Sequence, residues 1–78
     1  MHYRMLAKLI REKKKALGIT QNDLAEITGL GLRTIKKIES GKGNPTLDTL
    51  NRIFEALGME ILVRSVNVNI KTGLEENA

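Results

Sequence analysis

A chain of 78 residues holds one small domain, and a fold of that size buries only about 60 to 65% of the surface its unfolded form exposes. With no cysteine there are no disulfide staples and no cysteine-based zinc site, so packing or self-association must supply the remaining stability. The net charge of +4 is uneven: residues 1–43 carry ten Lys or Arg against four acids and residues 44–78 carry three against five, which favours a polyanionic partner for the first half.

That charge balance suits a nucleic acid or a membrane surface equally. No apolar run approaches the roughly 20 residues of a bilayer span, and charges run throughout residues 1–18, so neither a targeting nor a membrane segment is expected. The lack of cysteine fits a reducing cytoplasm.

Residues 4–17 place Leu6, Leu9, Ile10, Ala16 and Leu17 at helical spacing, predicting a first helix with one core stripe and a stop at Gly18. Its polar side holds Arg4, Lys8, Arg11, Lys13, Lys14 and Lys15, which suits either a solvated face or phosphate contact. Ile19 is expected to pack onto the helix that follows.

From Thr20 to Ser40 the spacing reads as two short helices around a tight turn. Thr20 is the expected N-cap, its hydroxyl accepting from the Asp23 amide, with the Asp23 carboxylate in the first turn where the helix dipole favours it. Leu24, Ala25 and Ile27 are expected to face inward, Ala25 being small where the next helix crosses. Gly29 permits a positive φ, and Leu30 plugs the angle. A second helix from about Leu32 to Ser40 buries Ile35 and Ile38, leaving Leu32, Arg33, Lys36 and Lys37 outward.

A short exposed helix with three cations and one apolar residue near its amino end suits the DNA major groove. Arginine forks onto the two guanine acceptors there, and an apolar side chain meets the thymine methyl. The alternative is an αα-hairpin with a solvated basic face. The joint occurrence of Ala25, Gly29, Leu30 and the isoleucine pair favours a helix-turn-helix with Leu32, Arg33, Lys36 and Lys37 as base readers.

Residues 41–45 form a loop in which Pro45 restricts Asn44 to extended backbone. Thr46 caps a last helix with Leu47, Leu50, Ile53, Phe54 and Leu57 as its apolar stripe and Gly58 as its stop. Then the period becomes twofold: Met59, Ile61 and Val63, followed after Arg64 and Ser65 by Val66, Val68 and Ile70. This predicts strand over 59–72, with a bulge, a bend or a strand end at the change of phase. A lone strand lacks a ladder, so antiparallel pairing across a twofold axis is expected, with Met59, Ile61, Leu62 and Val63 at the dimer contact. The alternative is a strand folded back on its own helices, or no order at all. Residues 73–78 read as a disordered acidic tail.

The ordered set Thr20-Gln21, Leu24-Ala25, Gly29-Leu30, Thr34-Ile35, Ile38-Glu39, Gly41-Lys42 and Asn44-Pro45-Thr46-Leu47, then Ala56-Leu57-Gly58, resembles the Xre/Cro family of small bacterial and phage repressor domains. The resemblance covers residues 6–58. It implies a mainly α, four-helix lambda-repressor-like domain over 1–58, with the Leu32 helix as recognition helix. It further implies that Gln21, Lys42 and Asn44 contact DNA phosphates and that some of Lys13, Lys14 and Lys15 lie beside the backbone. Gly31 and Leu32 depart from the polar residues usual at those family positions. The strand that follows is similar in architecture to HipB-type antitoxins, dimeric autorepressors that hold a HipA-type kinase toxin.

The expected function is therefore a sequence-specific repressor of double-stranded DNA, homodimeric on a palindromic operator, cytoplasmic, bacterial and nucleoid-associated when bound. Two settings remain open: the autoregulating antitoxin of a toxin pair, and a stand-alone phage-type or housekeeping repressor. An enzyme is disfavoured by a single terminal histidine and unclustered carboxylates, and no cofactor or metal is implied. RNA binding is disfavoured by one Tyr and one Phe, too few for a stacking platform.

Overall fold

A computed structural model describes residues 3–66, and they form four helices: α1 (Tyr3–Leu17), α2 (Gln21–Thr28), α3 (Leu32–Glu39) and α4 (Leu47–Ala56). α3 packs against both α1 and α2, and α2 also packs against α4. Between them lies one apolar cluster of Ile10, Leu24, Ile35, Ile38, Leu50, Ile53, Phe54 and Leu57. Each such side chain, taken fully out of water, contributes about 1.5–3 kcal/mol.

α1 and α4 end in the same way. Gly18 and Gly58 adopt φ of +72°. The glycine amides bond to Lys15 O and Glu55 O, and the next amides, of Ile19 and Met59, reach Lys14 O at 3.0 Å and Phe54 O at 2.8 Å. This 5→2 and 6→1 pairing satisfies the last carbonyls of each helix. Both residues after the glycine, Ile19 and Met59, then pack on the core. At the other end of α4, the Thr46 hydroxyl accepts from the Thr49 amide at 3.1 Å, the expected cap.

Three apolar stripes differ from expectation. In α1 the buried residues are Ala7 and Ile10, with Leu6 half-buried, whereas Leu9, Ala16 and Leu17 are exposed. The helix is rotated so that Lys14 also turns inward, for a reason given below. In α2, Ile27 is 59% exposed rather than inward. At about 100° per residue it lies roughly 60° from Leu24 on the side away from Ala25, and half-buried Thr28 takes the inner flank instead. In α4, Leu47 is exposed at the first turn, beyond the reach of the cluster.

Residues 59–66 form no strand in the single chain. Met59 and Ile61 pack against the helical core, while Leu62, Val63 and Val66 are exposed, Val63 to 95%. The inward alternation thus ends at Ile61, before the change of phase expected at Arg64. Residues 67–72 of the expected strand and the tail over 73–78 lie outside the described residues.

Candidate nucleic-acid interface

The turn between α2 and α3 is built from local hydrogen bonds. The Asp23 amide donates to Thr20 Oγ1 at 3.0 Å and the Thr20 amide donates to Asp23 Oδ2 at 2.9 Å, a complete capping box. The Thr20 backbone bond, and then the Thr20 side chain, hold the Asp23 carboxyl below its ordinary value. At the other end of α2, Thr28 Oγ1 donates to Leu24 O at 2.7 Å and accepts from the Leu30 amide at 3.2 Å. Gly29 takes φ +75°, as expected, with its amide on Ala25 O, and Leu30 packs on the core.

That corner presents α3. Ile35 and Ile38 turn inward, whereas Arg33, Lys36 and Lys37 are exposed and Leu32 is half-buried. A groove runs on each side of the helix. Toward α2 and the end of α1, Lys14, Thr20, Gln21, Asn22, Leu32 and Lys36 line one. Toward the loop before α4, Arg33, Thr34, Lys37, Lys42, Asn44 and Thr46 are among the residues lining the other. No Asp or Glu lines either groove among the described residues. Cationic walls without carboxylates suit a polyanion running past both flanks of a helix.

Two of the expected phosphate ligands each hold one side-chain hydrogen bond within the chain. Asn44 Oδ1 accepts from the Tyr3 hydroxyl at 2.7 Å, which leaves its amide donors for an acceptor outside. Tyr3, given no role from sequence, thereby aims Asn44. Gln21 Nε2 gives one bond to Glu39 Oε1 at 3.3 Å and retains a second N–H. Lys42 is exposed on the loop, its amide 3.4 Å from Ser40 Oγ.

Glu39 is the residue sequence reasoning missed. It is only 5% exposed, with Lys14 Nζ 2.8 Å from its Oε1, and Arg11 Nη1 donates to its backbone carbonyl. One carboxylate therefore ties α1, α2 and α3 together, and its Oε2 has no hydrogen-bond partner among the described residues. This is why Lys14 turns inward. The signal was a lone acid adjacent to Ile38 and four residues after Ile35, on the buried stripe of a basic helix. Lys13 and Lys14 are half-buried and Lys15 is exposed, so of the three only Lys15 keeps the open position of a solvated face.

Among the described residues there is no group of potential metal ligands, and no helix is long and apolar enough to cross a membrane. Residues 10–63 match the helix-turn-helix family. Over 52 residues the chain is 48% identical to an uncharacterized HTH-type transcriptional regulator of Methanothermobacter thermautotrophicus, covering 67% of this chain and 75% of the relative. It is 38% identical over 52 residues to the cryptic phage CTXphi transcriptional repressor RstR of Vibrio cholerae, covering 67% of this chain and 46% of the repressor. An uncharacterized HTH-type regulator of Haemophilus influenzae is 32% identical over 63 residues, covering 81% of this chain and 64% of the relative. The chain thus spans three quarters of the first relative and less than two thirds of the other two. These relatives come from archaea as well as bacteria, a wider range than the bacterial and phage domains of the resemblance. Four packed helices, a capped α2, a glycine corner and the matched segment agree: the chain belongs to the helix-turn-helix family of Xre/Cro type, DNA-binding proteins and not enzymes.

Proposed function

We propose that the chain is a sequence-specific transcriptional repressor that occupies its operator as a homodimer. The observation that carries this reading is α3 standing between two cation-lined, acid-free grooves, with Arg33, Lys36 and Lys37 exposed along it. α3 enters the major groove carrying Leu32, Arg33, Lys36 and Lys37, and Gln21, Lys42 and Asn44 hold phosphates on either side. The repressor RstR among the relatives supports the regulatory direction.

The helical unit over 1–58 binds DNA, and the arm over 59–72 joins two copies. The exposure of Leu62 and Val63 next to a core-anchored Met59 and Ile61 supports that division. Pairing of two arms about a twofold axis completes the missing ladder and fixes two recognition helices about 34 to 36 Å apart, so the operator is palindromic.

The test is selection of the full chain on a pool of random duplexes, followed by binding to the enriched sequence at several salt concentrations. An inverted repeat with half-site centres about 10 base pairs apart is expected. If about six phosphates are neutralised per dimer, log K falls against log salt with a slope near −5. A slope near zero removes the electrostatic part of the reading, and an enriched site without symmetry removes the dimer.

A second setting comes from the resemblance of the terminal segment to HipB-type antitoxins: an antitoxin whose dimer also holds a HipA-type kinase toxin and represses its own operon. Recovery of the tagged chain under nuclease treatment, with mass spectrometry of stoichiometric partners, separates the two. A kinase-like partner establishes the antitoxin, and a homodimer alone leaves the stand-alone repressor.

A further inference from the structure

The two adjacent lysines of α3, about 100° apart around the helix, line different grooves. Lys36 lines the groove it shares with Lys14 and Gln21, and Lys37 lines the groove it shares with Lys42 and Asn44. Lys37 is also seated. A Cβ built on Gly43 would stand 2.9 Å from Lys37 Cε and 3.3 Å from both Cδ and Cγ, so the lysine stem runs across the bare Cα of that glycine. Gly43 has φ +86°, a conformation that a side chain opposes as well.

This seat decides where the charge goes. A base reader needs its head at the floor of the groove, ahead of the helix. A lysine whose stem lies along the loop keeps its ammonium in the groove that Lys42 and Asn44 also line, where a DNA backbone passes in the proposed docking. An ammonium is a compact point charge without the planar fork that matches guanine, so it suits a phosphate oxygen in that position. Arg33, one turn earlier, keeps the fork and the amino-terminal place that base contact requires.

We infer that Lys37 is a phosphate ligand seated by Gly43, not a base reader, and that base reading by α3 falls to its amino-terminal residues, Arg33 foremost. The inference rests on the DNA-binding mode proposed above. It predicts that the loop glycine matters for affinity through a side chain six residues earlier in the chain.

The experiment measures binding of the full chain to a mixed-sequence 30-base-pair duplex between 50 and 200 mM salt, alongside selection on random duplexes. Lys37→Ala removes one phosphate contact from each protomer, so for the dimer it should make the salt slope shallower by about 1.8 and weaken binding about sixtyfold near 0.1 M salt. It should still enrich the wild-type consensus, whereas Arg33→Ala should relax one base position. Gly43→Ala should weaken binding more in the wild-type background than when Lys37 is already Ala, the smaller effect in the second case being the strain that the φ of +86° places on the loop. The Lys37→Ala slope decides the matter even where Gly43→Ala folds poorly. An unchanged slope, with one base position relaxed, would overturn the assignment while leaving the DNA-binding mode intact. Failure of the wild-type chain to bind any duplex would remove both.

Discussion

The helical unit and the arm that follows it meet the same requirement in different ways. Over residues 3–58 the exposed ends of three helices are closed from within, by the Thr20–Asp23 box, the Thr46 cap and the paired bonds at Gly18 and Gly58. Over residues 59–66 the Met59 amide bonds back to Phe54 O, no strand forms, and Leu62 and Val63 stand in solvent. A helix completes its hydrogen bonds within its own segment, whereas a strand needs a neighbour. Twofold periodicity therefore reports which side chains share a face, and says nothing of whether the partner strand is in the same chain.

The contrast breaks most severely in the core. Ile35 is fully buried between α1 and α2, so Ile35→Ala should cost about 3–4 kcal/mol, the usual range for truncating a packed aliphatic. A domain of this size has little more to lose, and a thermal melt should show the helical unit largely unfolded near 37 °C. Next comes the polar node. Lys14→Met leaves the buried Glu39 carboxylate with only the Gln21 amide, and because Lys14 is 15% exposed the loss should be about 2–3 kcal/mol, below the range for a fully buried pair. The double variant Lys14→Met, Glu39→Leu should recover most of that loss. If the double variant is as unstable as the single one, the carboxylate does more for the fold than accept Lys14.

These two sites show what was legible beforehand. The Thr20 cap, the Gly29 corner, the Ile35 and Ile38 pair and the exposure of Arg33, Lys36 and Lys37 all follow from spacing within one or two turns. The burial of Glu39 did not, because it depends on Arg11, Lys14 and Gln21 arriving from two other helices. Lys14 shares the inward stripe of α1 with Ala7 and Ile10, and Leu9 falls outside it. An apolar count along α1 misjudges that face, since a charged residue outranks a leucine once its partner is buried nearby. The aiming of Asn44 by Tyr3 was hidden for the same reason, a hydrogen bond spanning 41 residues.

Acid should sharpen the account of the caps. The Asp23 carboxyl is held below the ordinary aspartate value of 3.8 by its bonds to Thr20. A group with a lowered folded value contributes stability that is full above the unfolded value and fades as pH falls through the folded one. Asp23→Asn should therefore melt below the wild type at pH 5 to 7, and the gap should close as the pH drops beneath 3.8. A gap that stays constant down to pH 2 would assign the effect to amide geometry and not to charge.

The smallest effect on folding is expected in the arm, and it is the most informative about assembly. Leu62 and Val63 touch little in the single chain, so Leu62→Ser with Val63→Ser should change stability by less than about 0.5 kcal/mol at protein concentrations where the chain is monomeric. If two arms pair, the wild-type melting temperature should rise with concentration, since association draws only on the folded state. The variant should lose that rise and sediment as a monomer at every concentration. A wild type that also stays monomeric would leave the arm without a ladder and the two recognition helices unlinked. Equal destabilisation of the variant at every concentration would mean instead that Leu62 and Val63 fold back onto the helices in solution, extending the packing that Met59 and Ile61 begin.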